Sequence, residues 1–192
     1  FAPALRHNSH VTVIDGSVED SEALNTVFDG AYMVIHLAAI AGVSNYYTRS
    51  IKTLRVNILG TFNVLDAAVR NKVQRVIYFS TSEVYGSHAD RVTEENPMTS
   101  GPVADRRWVY SVSKQAGEHA MLRYGEEHQI GVTCIRPFNV YGPRQIGESA
   151  VANFCRRLLA GEAIQIYGDG KDVRSWCYIS DLLDAMTGIV DN

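Results

Sequence analysis

Along this chain, short apolar runs rich in β-branched and aromatic residues alternate with longer stretches whose apolar positions recur at helical spacing. Residues 11–14, 32–37, 75–79, 132–136 and 164–167 read as strands. Helices are expected over about 21–28, 51–71, 108–127 and 150–160, with another opening at Ser180 or Asp181 as its cap. Strands too apolar to keep a wet face, with helices between them, predict a doubly wound α/β fold in which a parallel sheet is covered on both sides. Ligands in such folds gather outside the carboxyl ends of the strands. The segments to read for chemistry are therefore His36-Leu37-Ala38-Ala39, Ser80-Thr81-Ser82-Glu83 and Pro137-Phe138-Asn139. The stretch from Ser87 to Asp105 is the one long loop, and long loops beside strand ends are often functional.

A length of 192 residues with 46% hydrophobic content is enough for one domain with a continuous core. A formal charge of -3 and a pI near 6.1 provide no broad basic surface, which argues against a nucleic-acid partner. Cys134, Cys155 and Cys177 lack the paired spacing of a zinc site or a disulfide framework, and read as reduced thiols of a cytoplasmic protein. No apolar run reaches the roughly 18 residues that span a bilayer, so no membrane association is expected. The chain begins FAPALRHNSH, without the order of a secretion signal, and ends IVDN directly after an amphipathic segment. It is expected to be a fragment, incomplete at both ends.

Tyr110 and Lys114 stand four apart at the start of an expected helix and so share one face. A phenol of ordinary pKa near 10 is a poor base at neutral pH, but a neighbouring ammonium favours the phenolate. Thr81, just past the strand 75–79, offers a hydroxyl at the sheet edge that can hydrogen-bond the same substrate oxygen. The three form a proton-transfer site. His36 reads as a packed residue, because no second metal ligand stands near it, and no metal site is expected. Arg106 and Arg107 read as a solvated loop pair.

The run Ser80-Thr81-Ser82-Glu83-Val84-Tyr85-Gly86, the tyrosine helix, and Arg136-Pro137-Phe138-Asn139-Val140-Tyr141-Gly142-Pro143-Arg144 resemble the extended short-chain dehydrogenase/reductase family of nucleotide-sugar epimerases, dehydratases and decarboxylases. His36-Leu37-Ala38-Ala39, Asn57, Gly60-Thr61-Phe62-Asn63-Val64-Leu65, and Gly168-Asp169-Gly170 leading to Arg174 and Asp181 extend the likeness from about Val11 to the end. The resemblance implies a Rossmann-like fold, NAD as cofactor, and oxidation at carbon 4 of a nucleotide-linked sugar. It implies Thr81, Tyr110 and Lys114 as the catalytic set, with Tyr110 and Lys114 also at the cofactor beside His36, Ala38, Ala39, Asn57 and Pro137. Asn139, Arg144 and Arg174 would meet the sugar nucleotide, Arg174 at its diphosphate. Residues 1–145 are then a partial cofactor-binding domain and 146–192 the start of the sugar-nucleotide region. A homodimer through helices 51–71 and 108–127 is expected.

Two departures bear on cofactor binding. The glycine-rich first strand and helix of this family are not in the chain, so it is expected to hold NAD poorly alone. Ser17 stands where an aspartate usually faces the adenine. Ser82 in place of the dehydratases' aspartate, with Glu83 kept, turns the likeness toward decarboxylases. Gly101-Pro102-Val103, Arg107 to Gln115, and Tyr47-Thr48-Arg49 resemble UDP-glucuronate decarboxylase-like members in particular. That closer likeness implies assistance at the sugar from Ser82, Glu83 and Arg174 and an approach of Tyr47 to the glucuronate. A 4-epimerase or 4,6-dehydratase remains an alternative, as does a non-catalytic NAD-sensing or interaction protein.

Overall fold

The structure, a computed structural model, describes residues 8–87, 89, 91–147, 149–166 and 168–192. Helix α1 (Ser21–Val27) starts at Asp20, whose carboxylate accepts from the amides of Glu22 and Ala23 at 3.2 and 3.0 Å. Strand β1 (Met33–His36) follows, then the short helices α2 (Val43–Thr48) and α3 (Ser50–Leu54). A π-helical turn (Arg55–Leu59) joins α3 to α4 (Gly60–Arg70), which leads to β2 (Arg75–Phe79). Two 3-10 turns, Ser82–Tyr85 and Arg106–Trp108, flank the long loop. Beyond them lie α5 (Val109–His128), β3 (Gly131–Ile135), β4 (Asn139–Tyr141), α6 (Ala150–Leu159), β5 (Trp176–Tyr178) and α7 (Ile179–Asp191).

The main sheet has the order β1-β2-β3, all parallel, with His36 opposite Tyr78 and Phe79 opposite Ile135. Central β2 buries Val76, Ile77 and Tyr78 completely, as a strand covered on both faces must. Val76 and Tyr78 join Val64, Leu65 and Ala68 of α4 and Met121 of α5 in one core. Arg75, on the side of β2 shared with Ile77, donates to the carbonyls of Ile189 and Val190 in α7 at 2.8 and 3.3 Å. The expected α/β class with a parallel sheet is what the structure shows.

Several boundaries differ from those expected. Residues 11–14 form no strand, since extended runs become strands only by pairing and these have no ladder partner among the described residues. Residues 164–166 are irregular as well, and Tyr167 lies outside the described residues. The chain after β3 instead builds a second parallel pair, β4 with β5, of three residues each. Helix 51–71 is interrupted by the π turn, and α2 was not expected. Neither Ser180 nor Asp181 caps α7, which opens at Ile179; the Ser180 hydroxyl instead donates to Asp181 at 3.2 Å.

A buried ion pair fixes the end of β3. The Arg136 guanidinium donates to the Glu118 carboxylate of α5 at 2.7 to 3.1 Å, to the Tyr85 hydroxyl at 2.9 Å and to the Glu94 carbonyl at 3.1 Å. Strand, helix, 3-10 turn and long loop thus meet at one side chain. Because the pair is buried, losing one partner would strand a charge away from water. On the other flank of the turn, Gln115 donates to the carbonyls of Val84 and Thr99 at 3.2 and 3.1 Å.

Candidate active site

The chain leaves β2 still tied to its neighbour: the Ser80 amide donates to Ile135 at 2.8 Å and the Ser82 amide to the Pro137 carbonyl at 3.0 Å. Extended Thr81 then caps the first 3-10 turn, its hydroxyl oxygen accepting from the Glu83 amide at 3.3 Å. The turn ends at Gly86, where φ is +81° and a β-carbon would run into Thr99. Pro137 therefore serves this site through its carbonyl, as a brace for the Thr81 turn.

Tyr110 and Lys114 come from the first turns of α5. Lys114 is only 2% exposed, and its ammonium donates to the Phe79 carbonyl at 2.6 Å, two residues before Thr81. The same nitrogen lies 4.7 Å from the centre of the Tyr78 ring and 5.9 Å from that of Tyr110. The structure thus gathers Thr81, Ser82, Glu83, Tyr110 and Lys114 at the carboxyl end of β2. Burial lowers Lys114 to about 8, with Glu118 opposing the change.

The expected acidification of the phenol is not found. Tyr110 is pushed up to about 12, first by burial and then by the charge of Glu83. The ammonium is instead engaged by the Phe79 carbonyl and lies nearer the Tyr78 ring, and burial dominates at the phenol.

Tyr46 of α2 is a site residue that the sequence did not single out. It is 2% exposed and stacks on Tyr110 with ring centres 5.3 Å apart and planes 10° from parallel. Its hydroxyl accepts from the Gly42 amide at 3.2 Å. Tyr47, the tyrosine expected near the sugar, is 46% exposed, and its carbonyl accepts from Arg106 at 2.9 Å. Arg106 and Arg107 are not a solvated pair: Arg107 donates to Glu83 at 3.0 Å. Burial raises the Glu83 carboxyl, and Arg107 opposes that shift. Nothing in the local sequence tells which face a six-residue helix turns inward, so neither Tyr46 nor Arg107 was legible.

On the β1 side, Ala38 and Ala39 lie in the loop beyond the strand, Ala38 exposed and Ala39 half-buried. His36 is buried beneath them, its Nε2 3.1 Å from the Thr61 hydroxyl, which itself donates to the Asn57 carbonyl at 2.7 Å. Desolvation, with a smaller contribution from Lys114, lowers the imidazole to about 4, so it is neutral at pH 7. Asn57 is occupied too: its amide oxygen accepts from the Ile40 amide at 2.8 Å, and its nitrogen donates to the Ile40 carbonyl and the Ser113 hydroxyl at 3.1 and 3.0 Å. The His36 Nε2 and both polar atoms of the Asn57 side chain are therefore engaged within the protein. Among the described residues no cluster of His, Cys, Asp or Glu could hold a metal.

The remaining expected residues lie on later elements. Asn139 opens β4 and donates to the Ser175 carbonyl at 3.0 Å. Arg144 is exposed, in a left-handed conformation with φ +64°. Arg174, paired with Asp172 at 2.7 Å, lines a cleft of about 950 Å³ with Asn153, Arg156, Arg157 and Trp176. That cleft and the Tyr110 cluster have no residue in common.

The donors near Tyr110 suit a cofactor ribose. Among the described residues the Lys114 ammonium has one acceptor and the Tyr110 hydroxyl has no hydrogen-bond partner. Such groups are completed by a ligand rich in hydroxyls.

Comparison with known proteins points the same way. The UDP-N-acetyl-alpha-D-glucosaminuronate decarboxylase of Bacillus cytotoxicus is 35% identical over 185 residues, which is 95% of this chain and 57% of that protein. The dTDP-D-glucose 4,6-dehydratase of Dictyostelium discoideum is 34% identical over 178 residues, 88% of this chain and 41% of that protein. The crystal structure of UDP-glucuronic acid 4-epimerase from Bacillus cereus, in complex with UDP-glucuronic acid and NAD, matches with a TM-score of 0.89 at 28% identity, covering 98% of this chain and 58% of that one. The chain spans 41–58% of the length of these proteins. The description of a single family, NAD dependent epimerase/dehydratase, matches residues 1–192 throughout. With that match over its whole length, and with a tyrosine-lysine face at the carboxyl edge of its parallel sheet, the chain belongs to the NAD-dependent epimerase/dehydratase family.

Proposed function

We propose that the protein containing this chain oxidises carbon 4 of a nucleotide-linked sugar, and that it is a UDP-glucuronate decarboxylase-like enzyme. The observation that carries the reading is the shared location of the Tyr110–Lys114 face and the Thr81–Glu83 turn at the end of β2. Two of the relatives above are named for sugars bearing a carboxylate on UDP. Ser82, where dehydratases of the thymidine-diphosphate type carry an acid, supports decarboxylation over loss of water.

NAD, when bound, would supply the acceptor for the hydride of carbon 4, and Lys114 and Tyr110 would hold its ribose. Tyr110 receives the proton of the carbon-4 hydroxyl, while Thr81 hydrogen-bonds the same oxygen. Because burial and Glu83 push the phenol up to about 12, its action as a base depends on positive charge that the nicotinamide ring of NAD would bring. Lys114, at about 8, still carries its proton at pH 7. Oxidation leaves a carbonyl β to the carboxylate. The bond to the carboxyl carbon then breaks, its electron pair moves into the enolate, and carbon dioxide leaves. Tyr46 keeps the phenol ring in place by stacking.

In the full-length protein, Tyr110→Phe is expected to lower NADH formation from UDP-glucuronate by on the order of 10²–10⁴-fold while melting and circular dichroism stay unchanged. Unchanged turnover would remove Tyr110 from the chemistry. The mass of the product separates loss of carbon dioxide from loss of water and from epimerisation without change of mass. The 4-epimerase reading is kept because a UDP-glucuronic acid 4-epimerase is among the solved neighbours. A silent NAD-sensing role has less support, since it has no use for Thr81, Tyr110 and Lys114 together.

The reading extends to a homodimer through α3, the π turn, α4 and α5, which expose Ile51, Leu59, Phe62, Val112 and Leu122. It places β4, β5, α6 and α7 at the start of the sugar-nucleotide region, with Asn139, Arg144 and Arg174 toward the nucleotide. A cytoplasmic location fits the free thiols of Cys134, Cys155 and Cys177.

A further inference from the structure

We propose that Glu118, buried one helical turn after Lys114, is a positioning residue that keeps the Lys114 ammonium charged, and that Arg136 limits how much of the Glu118 field reaches it. This role rests on the nucleotide-sugar reading above only where turnover is measured.

Lys114, Gly117, Glu118 and Met121 follow at spacings of three and four on the face of α5 that packs on β2. A charge on that face has almost no water, since Lys114 and Glu118 are each 2% exposed. Among the described residues the ammonium has one acceptor, the Phe79 carbonyl, and it lies over the Tyr78 ring. Neither carries a full negative charge. A buried cation calls for a buried anion, and Glu118 is the one buried carboxylate among the described residues.

The groups that neighbouring elements bring toward Lys114 do not replace it. From β1 comes His36, neutral at pH 7, from β2 the Tyr78 phenol, and from the preceding turn of α5 the Tyr110 phenol. Glu83, on the turn after β2, is engaged by Arg107. The helices α3 and α4 and the π turn also pack on α5, but their charged residues Lys52, Arg55, Asp66 and Arg70 are exposed, and the inward Asn57 and Thr61 are uncharged.

The carboxylate is shared. Both of its oxygens accept from Arg136, at 2.7 to 3.1 Å, and the guanidinium is itself fixed by the Tyr85 hydroxyl and the Glu94 carbonyl. Arg136 therefore offsets part of what Glu118 does to its surroundings. Cys134 registers the opposition directly: burial pushes its thiol up to about 12, Glu118 adds to the rise, and Arg136 counters it. At Lys114, burial lowers the ammonium to about 8, and Glu118 is the group that resists.

The two halves of one ion pair thus act on Lys114 with opposite sign. Without Glu118 the supporting field is gone and Arg136 is left as a bare cation, so the lysine loses its proton at lower pH. Without Arg136 the full field of Glu118 is felt, and the proton stays to higher pH. A brace made of the same side chains has no reason to move the lysine in opposite directions.

The test titrates Lys114 in the full-length protein through its side-chain nuclear magnetic resonance signal, assigned with Lys114→Arg, in the parent, Glu118→Gln and Arg136→Met. The midpoint is expected to fall by at least about half a pH unit in Glu118→Gln and to rise by a comparable amount in Arg136→Met. The alkaline limb of NADH formation from UDP-glucuronate should move the same way in each. Shifts of one sign in both variants, or no shift in either, overturn the inference whatever happens to the overall rate. If a single variant does not fold, Glu118→Gln/Arg136→Met, which strands no charge, decides. Its midpoint is expected below that of the parent, because the carboxylate, one turn from the lysine on its own helix, outweighs the arginine at the end of β3; an unmoved midpoint overturns the inference. The titration needs no substrate, so a parent without turnover would sink the function proposed above and leave the role of Glu118 to be decided by the midpoints.

Discussion

Burial, more than any single partner, sets the charge states around Tyr110. His36 illustrates the pH consequence. Its imidazole stands at about 4 in the folded chain against an ordinary value of 6.5, chiefly through desolvation. In that interval the unfolded chain binds the extra proton, so the stability that His36 contributes is complete above pH 6.5 and is lost as pH falls toward 4. The difference in denaturant midpoint between the parent and His36→Gln should therefore shrink or reverse across that window, and a difference that stays flat from pH 7 to 4 would contradict the buried neutral imidazole. Among single residues, those that spacing identifies were legible: Tyr110 and Lys114 from their separation of four, and Thr81 with Glu83 from their place after an apolar strand. Tyr46 and Arg107 were not, because their roles arise where α2 packs on the turn before α5. Asn57 and the Nε2 of His36 are engaged by Ile40, Ser113 and Thr61, contacts that no spacing in the sequence announces.

Within the elements, close approach of backbone and side chain explains choices that propensity opposes. Gly117 lies in the middle of the 20-residue α5, where glycine costs about 1 kcal/mol relative to alanine. A methyl group there would overlap the hydroxyl and ring of Tyr78, which is fully buried in β2. Gly117→Ala is accordingly expected to destabilise by about 1–3 kcal/mol despite the gain in helix propensity. Chemical denaturation measures this, and a more stable variant would show that helix and strand have room to part. The long periodic segments, β2 and α5 above all, were readable because several turns or a full strand repeat their pattern. β4 and β5, at three residues each, offer too little sequence for any period to register. Residues 11–14 have strand composition without a strand, since pairing is a property of two segments and not of one.

For the molecule as a whole, the expected dimer has a direct check. Phe62, 40% exposed on α4, meets Tyr124 of α5 edge-on with ring centres 6.1 Å apart, and Leu122 and Ile51 on α5 and α3 are exposed as well. The full-length protein should sediment at twice its chain mass, and Phe62→Glu should shift it toward the monomer at the same concentration. A parent that sediments as a monomer would dissociate this surface from self-association. The π turn at Arg55–Leu59 bears on the same pair of helices from the inside. Such a turn accommodates one residue beyond the α-helical count, and it is what carries the Asn57 side chain to both the Ile40 loop and Ser113. Shortening it by that residue would rewind everything upstream by about 100°. The phase of that one turn thereby decides which side chain of the segment faces Ser113 across the helix pair.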